Sequence, residues 1–250
     1  MTILNLQTFE GADDARHWIG ASHGFSNSIL NIIIGSSFNT FRGGTFRFEA
    51  NIPKNVLINE AYLTFIALGN DTNTFVNVEI QADDSDDSNQ IVDDDDYHTR
   101  VLTGVPVNWD NLPGWVSNTP YNSPDISSVI QAVVNRSGWN SGNALNLVLT
   151  DNGSSGGAIR SLHSFESNPS KSPTLYIEYT ELPTVISIPV GAMLFEGQSV
   201  SVLQNFKRLF NLVTPEFNLI ETVIDPVEDK DVVLDQFDDV EIVNTKGTWS

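Results

Sequence analysis

Short runs of alternating apolar and polar residues dominate the first 180 positions and predict β-strands. In the run 45–50, Phe46 and Phe48 fall on one face and Arg47 and Glu49 on the other, the period of a half-buried strand. Turn residues separate the runs, without the helices that join parallel strands. The predicted strands are Ser28–Ile34, Thr45–Ala50, Ala61–Ala67, Thr74–Ala82, Leu145–Leu149 and Leu175–Tyr179. We therefore expect an all-β fold, an antiparallel β-sandwich or jelly roll.

One segment has the period of an amphipathic helix instead. Ser123, Pro124 and Asp125 supply an N-cap, a proline at the first helical position and an acid in the first turn. The apolar residues that follow recur at helical spacing, and they are Ile126, Val129, Ile130, Val133 and Val134. We expect one short helix whose apolar stripe covers one end of the sandwich.

The composition changes near residue 182, where we place a domain boundary. Residues 1–181 form the predicted sandwich, and residues 182–250 form a β-rich C-terminal arm or small subdomain. A segment of about 70 residues rarely builds a strong core alone, so we expect it to bind another surface. Its predicted elements are strands at Val185–Val190 and Ala192–Glu196, an amphipathic helix within 202–213, and an edge strand or docking arm at Ile224–Asp239. Its candidate assembly residues are Val190, Leu194, Phe195, Phe206, Phe210 and Phe217.

Charge narrows the classes of partner. The chain has 32 acidic and 12 basic residues, a formal net charge of −20, and no cysteine. A surface with this negative charge repels nucleic acids and anionic membranes. Because the chain has no cysteine, disulfides and thiolate metal sites are excluded. The apolar run at Ile3–Leu6 is too short for a signal sequence, and no run reaches the ~18 apolar residues of a membrane span. We expect neither nucleic-acid binding nor membrane insertion, and action inside the cell or release by a route other than secretion.

Clustered aspartates raise the question of a metal. Calcium takes six to eight oxygen ligands, and acidic loops beside β-strands suit it. The order of the acids is not that of an EF-hand, and the alternative is a solvated acidic loop. The candidate calcium ligands are Asp83, Asp84, Asp86 and Asp87, with a second acidic run at Asp93–Asp96. Calcium is the one cofactor that the sequence suggests.

Aromatic residues raise the question of a saccharide. Trp109, Trp115 and Tyr121 are candidate glycan-binding residues, because their rings stack on sugar rings. The alternative is that these rings pack in the core, where aromatic side chains bury large areas. Both interpretations remain open at this point.

Catalytic patterns are absent from the sequence. Gly153–Gly157 matches G-x-S-x-G, but a nucleophile elbow needs a strand, turn and helix, and here the flanks are strand and loop. The histidines lack metal-ligand spacing and suit surface or loop positions: they are His17, His23, His98 and His163. No pair of acids stands out for glycoside cleavage, so a lyase or hydrolase lacks a catalytic constellation. We expect no enzymatic activity.

The first 180 residues resemble the DNRLRE-like, or disaggregatase-related, jelly-roll domains. The matching pieces are Arg47–Pro53 followed by Ile58–Leu63, where Asn55 replaces the family's usual glycine, and the acidic strand end Ile80–Asp87. The further matches are Trp109, Trp115, Asp125–Gln131, Trp139, Gly142–Leu145 and Pro173–Tyr179. Such domains occur in large extracellular and polysaccharide-active proteins and are similar to carbohydrate-binding modules. The resemblance implies the fold and leaves the function open.

The segment Val185–Val202 resembles parts of tailed-phage virion proteins through its apolar–Gly–apolar–Glu–Gly rhythm. This implies a structural protein of a tailed bacteriophage virion, a capsid-decorating or fibre-like component that displays the sandwich on the particle surface. Such a protein is made in the host cytoplasm and released by lysis. We expect homo-oligomers, contacts with other virion proteins, and host-surface polysaccharide as a candidate partner. The alternative is an extracellular bacterial glycan-binding module or adhesin.

Overall fold

Antiparallel pairing organises the structure, a computed structural model that describes residues 1–20, 23–71 and 75–182 and the backbone of 184–187 and 241–244. The chain divides into two units, Met1–Leu182 and Pro183–Ser250. Each unit is described by itself.

The first unit contains twelve described strands and two helices. In chain order the strands are β1 (Thr2–Gln7), β2 (Asp14–Gly20), β3 (Gly24–Ser26), β4 (Asn31–Ser37), β5 (Thr40–Glu49), β6 (Val56–Ile66), β7 (Val76–Ala82), β8 (Val107–Leu112), β9 (Pro120–Asn122), β10 (Ala144–Asp151), β11 (Ile159–His163) and β12 (Thr174–Glu181). The helices are α1 (Asp94–Thr99) and α2 (Ser127–Val134), and 3₁₀ turns occupy Gly11–Asp13 and Pro169–Lys171.

The strands form two sheets with the core between them. The smaller sheet has the order β1-β12-β6-β9. The larger sheet runs β11-β4-β5-β10-β7-β8, and β2 pairs with both β5 and β3. Alternate residues of both sheets point inward, including Phe46 and Ile80 from the larger sheet and Leu63 and Ile177 from the smaller one. The predicted all-β sandwich is confirmed.

Each of the six predicted strands overlaps an observed strand, with shifted ends. β4 begins at Asn31 instead of Ser28, and β7 begins at Val76 instead of Thr74. β6 is longer than predicted because Val56 and Ile58 continue the buried face upstream. Several strands were not predicted, and these are β1, β2, β3, β8, β9 and β11.

Helix α2 confirms the apolar stripe but begins later than predicted. Ser123 is not its cap, because its hydroxyl accepts from the Leu63 amide at 3.0 Å. The Asp125 carboxylate accepts from the Ser127 amide at 2.9 Å and from the Ala61 amide at 3.0 Å. Asp125 therefore ties the start of α2 to β6, while the N-cap residue itself, Ile126, has no side-chain cap. The buried side of the helix packs against β6 and β7, one strand from each sheet.

A second helix, α1, lies where a solvated acidic loop was expected. Asp93 caps it by accepting from the Asp96 amide at 2.8 Å. Three further aspartates occupy the first turn, where negative charge is favourable next to the free amides of the helix N-terminus. The acidic run therefore acts as a helix start.

The second unit is described only through two backbone strands. β13 (Thr184–Ser187) pairs antiparallel with β14 (Glu241–Asn244), Thr184 opposite Asn244. β13 overlaps the strand predicted at Val185–Val190. The other predicted elements and the assembly residues Val190, Leu194, Phe195, Phe206, Phe210 and Phe217 lie outside the described residues.

Candidate functional site

The predicted saccharide-binding tryptophans are core residues. Trp115 is fully buried and Trp109 is 8% exposed. Trp115 stacks on Tyr121 with ring centroids 4.9 Å apart and planes 9° apart, and Trp109 packs beside Phe65. The prediction that Trp109 and Trp115 stack on sugars is wrong, because neither indole has a ring face open to a ligand.

Tyr121 belongs to the same internal stack. Its hydroxyl accepts from the Val116 amide at 2.9 Å, and one ring face lies against Trp115. The hydroxyl therefore holds the 116–121 turn, and Tyr121 makes no platform with the two tryptophans.

Asp83 has an arginine partner where a calcium ion was expected. Its carboxylate is buried and accepts from Arg100 Nη1 at 2.9 Å and from the Ser88 hydroxyl at 2.6 Å. Arg100 also donates to both carboxylate oxygens of Asp96, at 2.8 and 3.0 Å. The hydrogen bonds from Arg100 lower the pKa of Asp96 below its ordinary value. One guanidinium thus fastens α1 to the end of β7.

The other three candidate calcium ligands also have partners within the protein. Asp84 and Asp86 both accept from Arg136, which follows α2. Asp87 accepts from the Ala144 amide at 2.8 Å, at the start of β10. In the described ranges no three acidic or histidine side chains converge in a group that could hold a metal. The four candidate calcium ligands therefore accept hydrogen bonds from two arginines and a backbone amide, and they do not converge on one point.

Three histidines converge on α1, which the sequence did not indicate. His17 stacks on Tyr97 with centroids 4.1 Å apart, and its Nε2 lies 2.9 Å from the Leu149 carbonyl oxygen and 3.1 Å from the Tyr97 hydroxyl. His98 and His23 flank Asp94, at 3.5 and 4.0 Å. Burial lowers the pKa of His17 to about 4, so its imidazole is neutral at physiological pH. His17 is a core residue, contrary to the expected surface or loop position.

Asp14 is a buried acid on the same strand as His17. It is 1% exposed, and one carboxylate oxygen accepts from the Phe165 amide at 2.8 Å. Its other oxygen has no hydrogen-bond partner among the described residues. Burial raises the pKa of Asp14 to about 7, and the nearby Glu166 and Asp13 act in the same direction. Its burial and its bond to the Phe165 amide place this carboxyl group in the interior of the fold.

The G-x-S-x-G match lies in the loop between β10 and β11, as its flanks indicated. Ser154 ties this loop to β7, since it accepts from the Asn77 amide and donates to the Asn77 carbonyl oxygen, both at 3.0 Å. A strand follows the loop where a nucleophile elbow requires a helix.

The outer face of the smaller sheet carries a pair of half-buried tyrosines. Tyr62 of β6 and Tyr176 of β12 are direct cross-strand neighbours, with centroids 4.8 Å apart and planes 13° apart. Both are half-buried, while their chain neighbours Leu63 and Ile177 point into the core. We give the name tyrosine face to ten of the outward positions of this sheet: Ile3, Asn5, Gln7, Glu60, Tyr62, Thr64, Asn122, Thr174, Tyr176 and Glu178.

Polar residues lie next to the two rings along β6 and β12 and on β1. Asn5 of β1 lies opposite Tyr176, and on the other strand Thr64 donates to Asn122 at 3.0 Å. Glu178 lies directly opposite Glu60, and the Tyr176 hydroxyl donates to Glu178 at 3.4 Å. Desolvation and then the Glu178 carboxylate raise the pKa of Tyr176, so its hydroxyl stays a proton donor.

A cleft continues from this face around the edge strand β1. Asn5 and Gln7 border both the face and the cleft, whose far wall is formed by Arg47 and Glu49 of β5. Phe9 lies at the rim and is 85% exposed. Arg47 is held by Asp13, which accepts from its Nη1 at 3.0 Å. The arrangement offers aromatic surface, amides and carboxylates along one continuous path.

One pattern in the sequence indicates this face, although it did not enter the prediction of the binding residues. In the predicted strands Ala61–Ala67 and Leu175–Tyr179 the alternation places Tyr62 and Tyr176 outward. Their adjacency depends on the register between two strands more than a hundred residues apart, which alternation alone does not give.

Comparison with known proteins identifies no family. No protein-family model matches the chain, and no curated protein matches it. The DNRLRE-like resemblance therefore remains a prediction, whereas the sandwich itself is observed. Among the described residues no helix is long and apolar enough to cross a membrane.

Proposed function

We propose that the chain is a structural protein of a tailed-phage particle, a capsid-decorating or fibre-like component whose sandwich faces outward and whose C-terminal unit binds neighbouring subunits. The observation that carries this proposal is the division of the chain between Leu182 and Pro183. The sandwich has a core of its own, and the separate unit holds the segment that resembles virion proteins. A display domain joined to an assembly segment has this organisation.

Exposed apolar residues on the larger sheet support an assembly function. Ile19 and Phe41 are direct cross-strand neighbours on β2 and β5, and both are exposed. Phe38, at the adjoining β4–β5 hairpin, is 78% exposed. Contiguous exposed apolar side chains are typical of protein–protein contacts.

The positions of the ionisable groups with shifted pKa values also favour a structural function. Asp14 and His17 are internal, and the arginines beside the acidic loop hold α1 and the end of α2 in place. Each of these groups has a stabilising contact that accounts for its position.

Deletion of residues 183–250 in the phage genome tests this proposal. We expect the truncated protein to accumulate as a folded sandwich, shown by a cooperative thermal transition, and to be missing from purified particles. A truncated protein that enters particles at the copy number of the full chain would refute the assembly function of the second unit.

A second candidate function, an extracellular glycan-binding module, is favoured by the tyrosine face. The two differ in one observable: a purely extracellular module binds saccharide but is absent from purified particles, whereas a virion component is present at a defined copy number.

A further inference from the structure

We propose that the tyrosine face binds a neutral polysaccharide chain, which rests on the second candidate function and names its ligand class and site, and which does not depend on the virion function. The site comprises the two tyrosine rings, the flanking amides and carboxylates, and the adjoining cleft beneath Phe9.

The two tyrosines are the first observation. Large aromatic side chains are normally buried, yet Tyr62 and Tyr176 stack on each other on the outward side of a sheet whose inward side is already a packed core. One face of each ring lies against the other ring, so a pyranose would contact their edges and outer faces, and their hydroxyls would match its polar edge. Because the strands are rigidly paired, the rings are held in place before a ligand arrives, which lowers the entropy lost on binding.

The facing carboxylates are the second observation. Glu60 and Glu178 are directly opposite each other on neighbouring strands, a like-charge pair that destabilises a sheet. Departures from the stabilising pattern concentrate at functional sites. Carboxylates accept hydrogen bonds from vicinal hydroxyls, and a saccharide hydroxyl pair would be shared between the two glutamates without a counter-ion.

Charge decides which polysaccharide fits. Among the ten described positions of the tyrosine face, two are glutamates and none is lysine or arginine. A uronate, sulfate or phosphate group on the face would lie against these carboxylates, and Arg47, the arginine that lines the adjoining cleft, is already paired with Asp13 at 3.0 Å. The complementary ligand is a neutral hexose or pentose polymer.

The third observation indicates the path along which a bound polysaccharide would run. Asn5 lies beside Tyr176 on one side and borders the cleft on the other. A chain that crosses β6, β12 and β1 therefore continues toward Phe9 and the Glu49 carboxylate without leaving the surface. Two strand spacings of about 4.8 Å give a path of about 10 Å across the three strands, long enough for about two sugar units before the cleft begins.

Affinity electrophoresis and calorimetry of the full chain test the proposal with soluble neutral polysaccharides (a β-glucan, a mannan and a galactan) and acidic ones (polygalacturonate and a sulfated glycan). We expect one or more neutral polymers to bind and the acidic ones not to bind. Tyr62→Ala and Tyr176→Ala should each lower the association constant about tenfold, and the double variant should abolish binding. Glu178→Gln should weaken it while the fold is unchanged.

Phe75→Ala is the matched control, since it removes an exposed aromatic ring outside the tyrosine face and should leave binding unchanged. Tyr62→Phe keeps the ring, so retained binding by this variant separates ring stacking from loss of folding. The proposal is overturned if no neutral polymer binds the wild-type chain, if the double variant still binds, or if acidic polymers bind in preference.

Particle incorporation of the double variant keeps the two proposals apart. We expect normal incorporation, because the tyrosine face is assigned to saccharide. Loss of incorporation without any saccharide binding by the wild-type chain would show that the face is a protein contact, which overturns this inference and leaves the virion function standing.

Discussion

The imidazole of His17 reaches the main-chain carbonyl oxygen of Leu149 at 2.9 Å by passing over a glycine of the strand between them. That glycine is Gly43 of β5, the direct cross-strand partner of His17. Because a carbonyl oxygen can only accept, Nε2 of His17 carries the proton and donates. A Cβ at Gly43 would overlap with both the ring and the carbonyl oxygen. The side chain of His17 therefore joins β2 to β10 only because β5 has no side chain at this position.

Gly43→Ala should destabilise the protein by about 2–4 kcal/mol, because the added methyl displaces His17 and leaves the Leu149 carbonyl oxygen without its donor. Gly156→Ala is the matched control, since nothing lies within 4 Å of its Cβ, and it should change stability by less than about 0.5 kcal/mol. Urea unfolding of both variants measures the difference. Equal effects would contradict the described packing over Gly43.

The buried imidazole should make stability fall in acid. The folded-state pKa of His17 is about 4, whereas the unfolded chain binds a proton near its ordinary value of 6.5. Between these values the unfolded state holds more protons, so the free energy of unfolding decreases as the pH falls from 6.5 to 4. Relative to His17→Gln, the wild-type protein should lose about 3 kcal/mol across this window. Parallel unfolding curves for the two proteins at all pH values would contradict the burial of the ring.

Asp14 should make stability fall as the pH rises, which is the opposite of the effect of His17. Its folded-state pKa is about 7 against an ordinary value of 3.8, so the folded state holds the extra proton between these values. Stability therefore falls as the pH rises from 4 to 7, and at pH 8 Asp14→Asn should be more stable than wild type by up to about 4 kcal/mol. Asp110→Asn, which removes an exposed carboxylate, controls for the change in net charge. A wild-type advantage at pH 8 would refute the raised pKa.

The two arginines beside the acidic loop should differ in how much each contributes to stability. Arg100 pairs with the buried Asp83, and Arg100→Met leaves that carboxylate without its cation, which should cost about 3–5 kcal/mol. Arg136 pairs with the more exposed Asp84 and Asp86, so Arg136→Met should cost less than about 1 kcal/mol. Thermal unfolding at low and high salt measures both. A larger loss for Arg136→Met, or no loss for Arg100→Met, would show that burial does not set the strength of these pairs.

The local alternation of apolar and polar residues was sufficient to predict the sandwich and six of its strands. The alternation of Phe46 and Phe48 with Arg47 and Glu49 places the two phenylalanines in the core of β5, as observed. Among the strands that were missed, β3 and β9 have three residues each, and β2 and β11 bury polar residues such as His17 and Arg160. Their burial depends on partners far along the chain, which no local pattern records.

The candidate site was the least predictable part. Tryptophan content suggested the ligand platform at Trp109 and Trp115, but both rings, one on β8 and one in the segment after it, are buried in the core. The outward pair, Tyr62 and Tyr176, is brought together by the register of β6 with β12. The clustered aspartates suggested calcium, and the arginines that take them instead come from α2 and from the end of α1. In each case a long-range contact decides the function of the residue.

Quantitative mass spectrometry of purified phage particles tests the proposed virion function most directly. The full chain should be present at a fixed copy number relative to the major capsid subunit, and the chain that lacks residues 183–250 should be absent while still folded in the lysate. Absence of the full chain from purified particles would contradict the proposal.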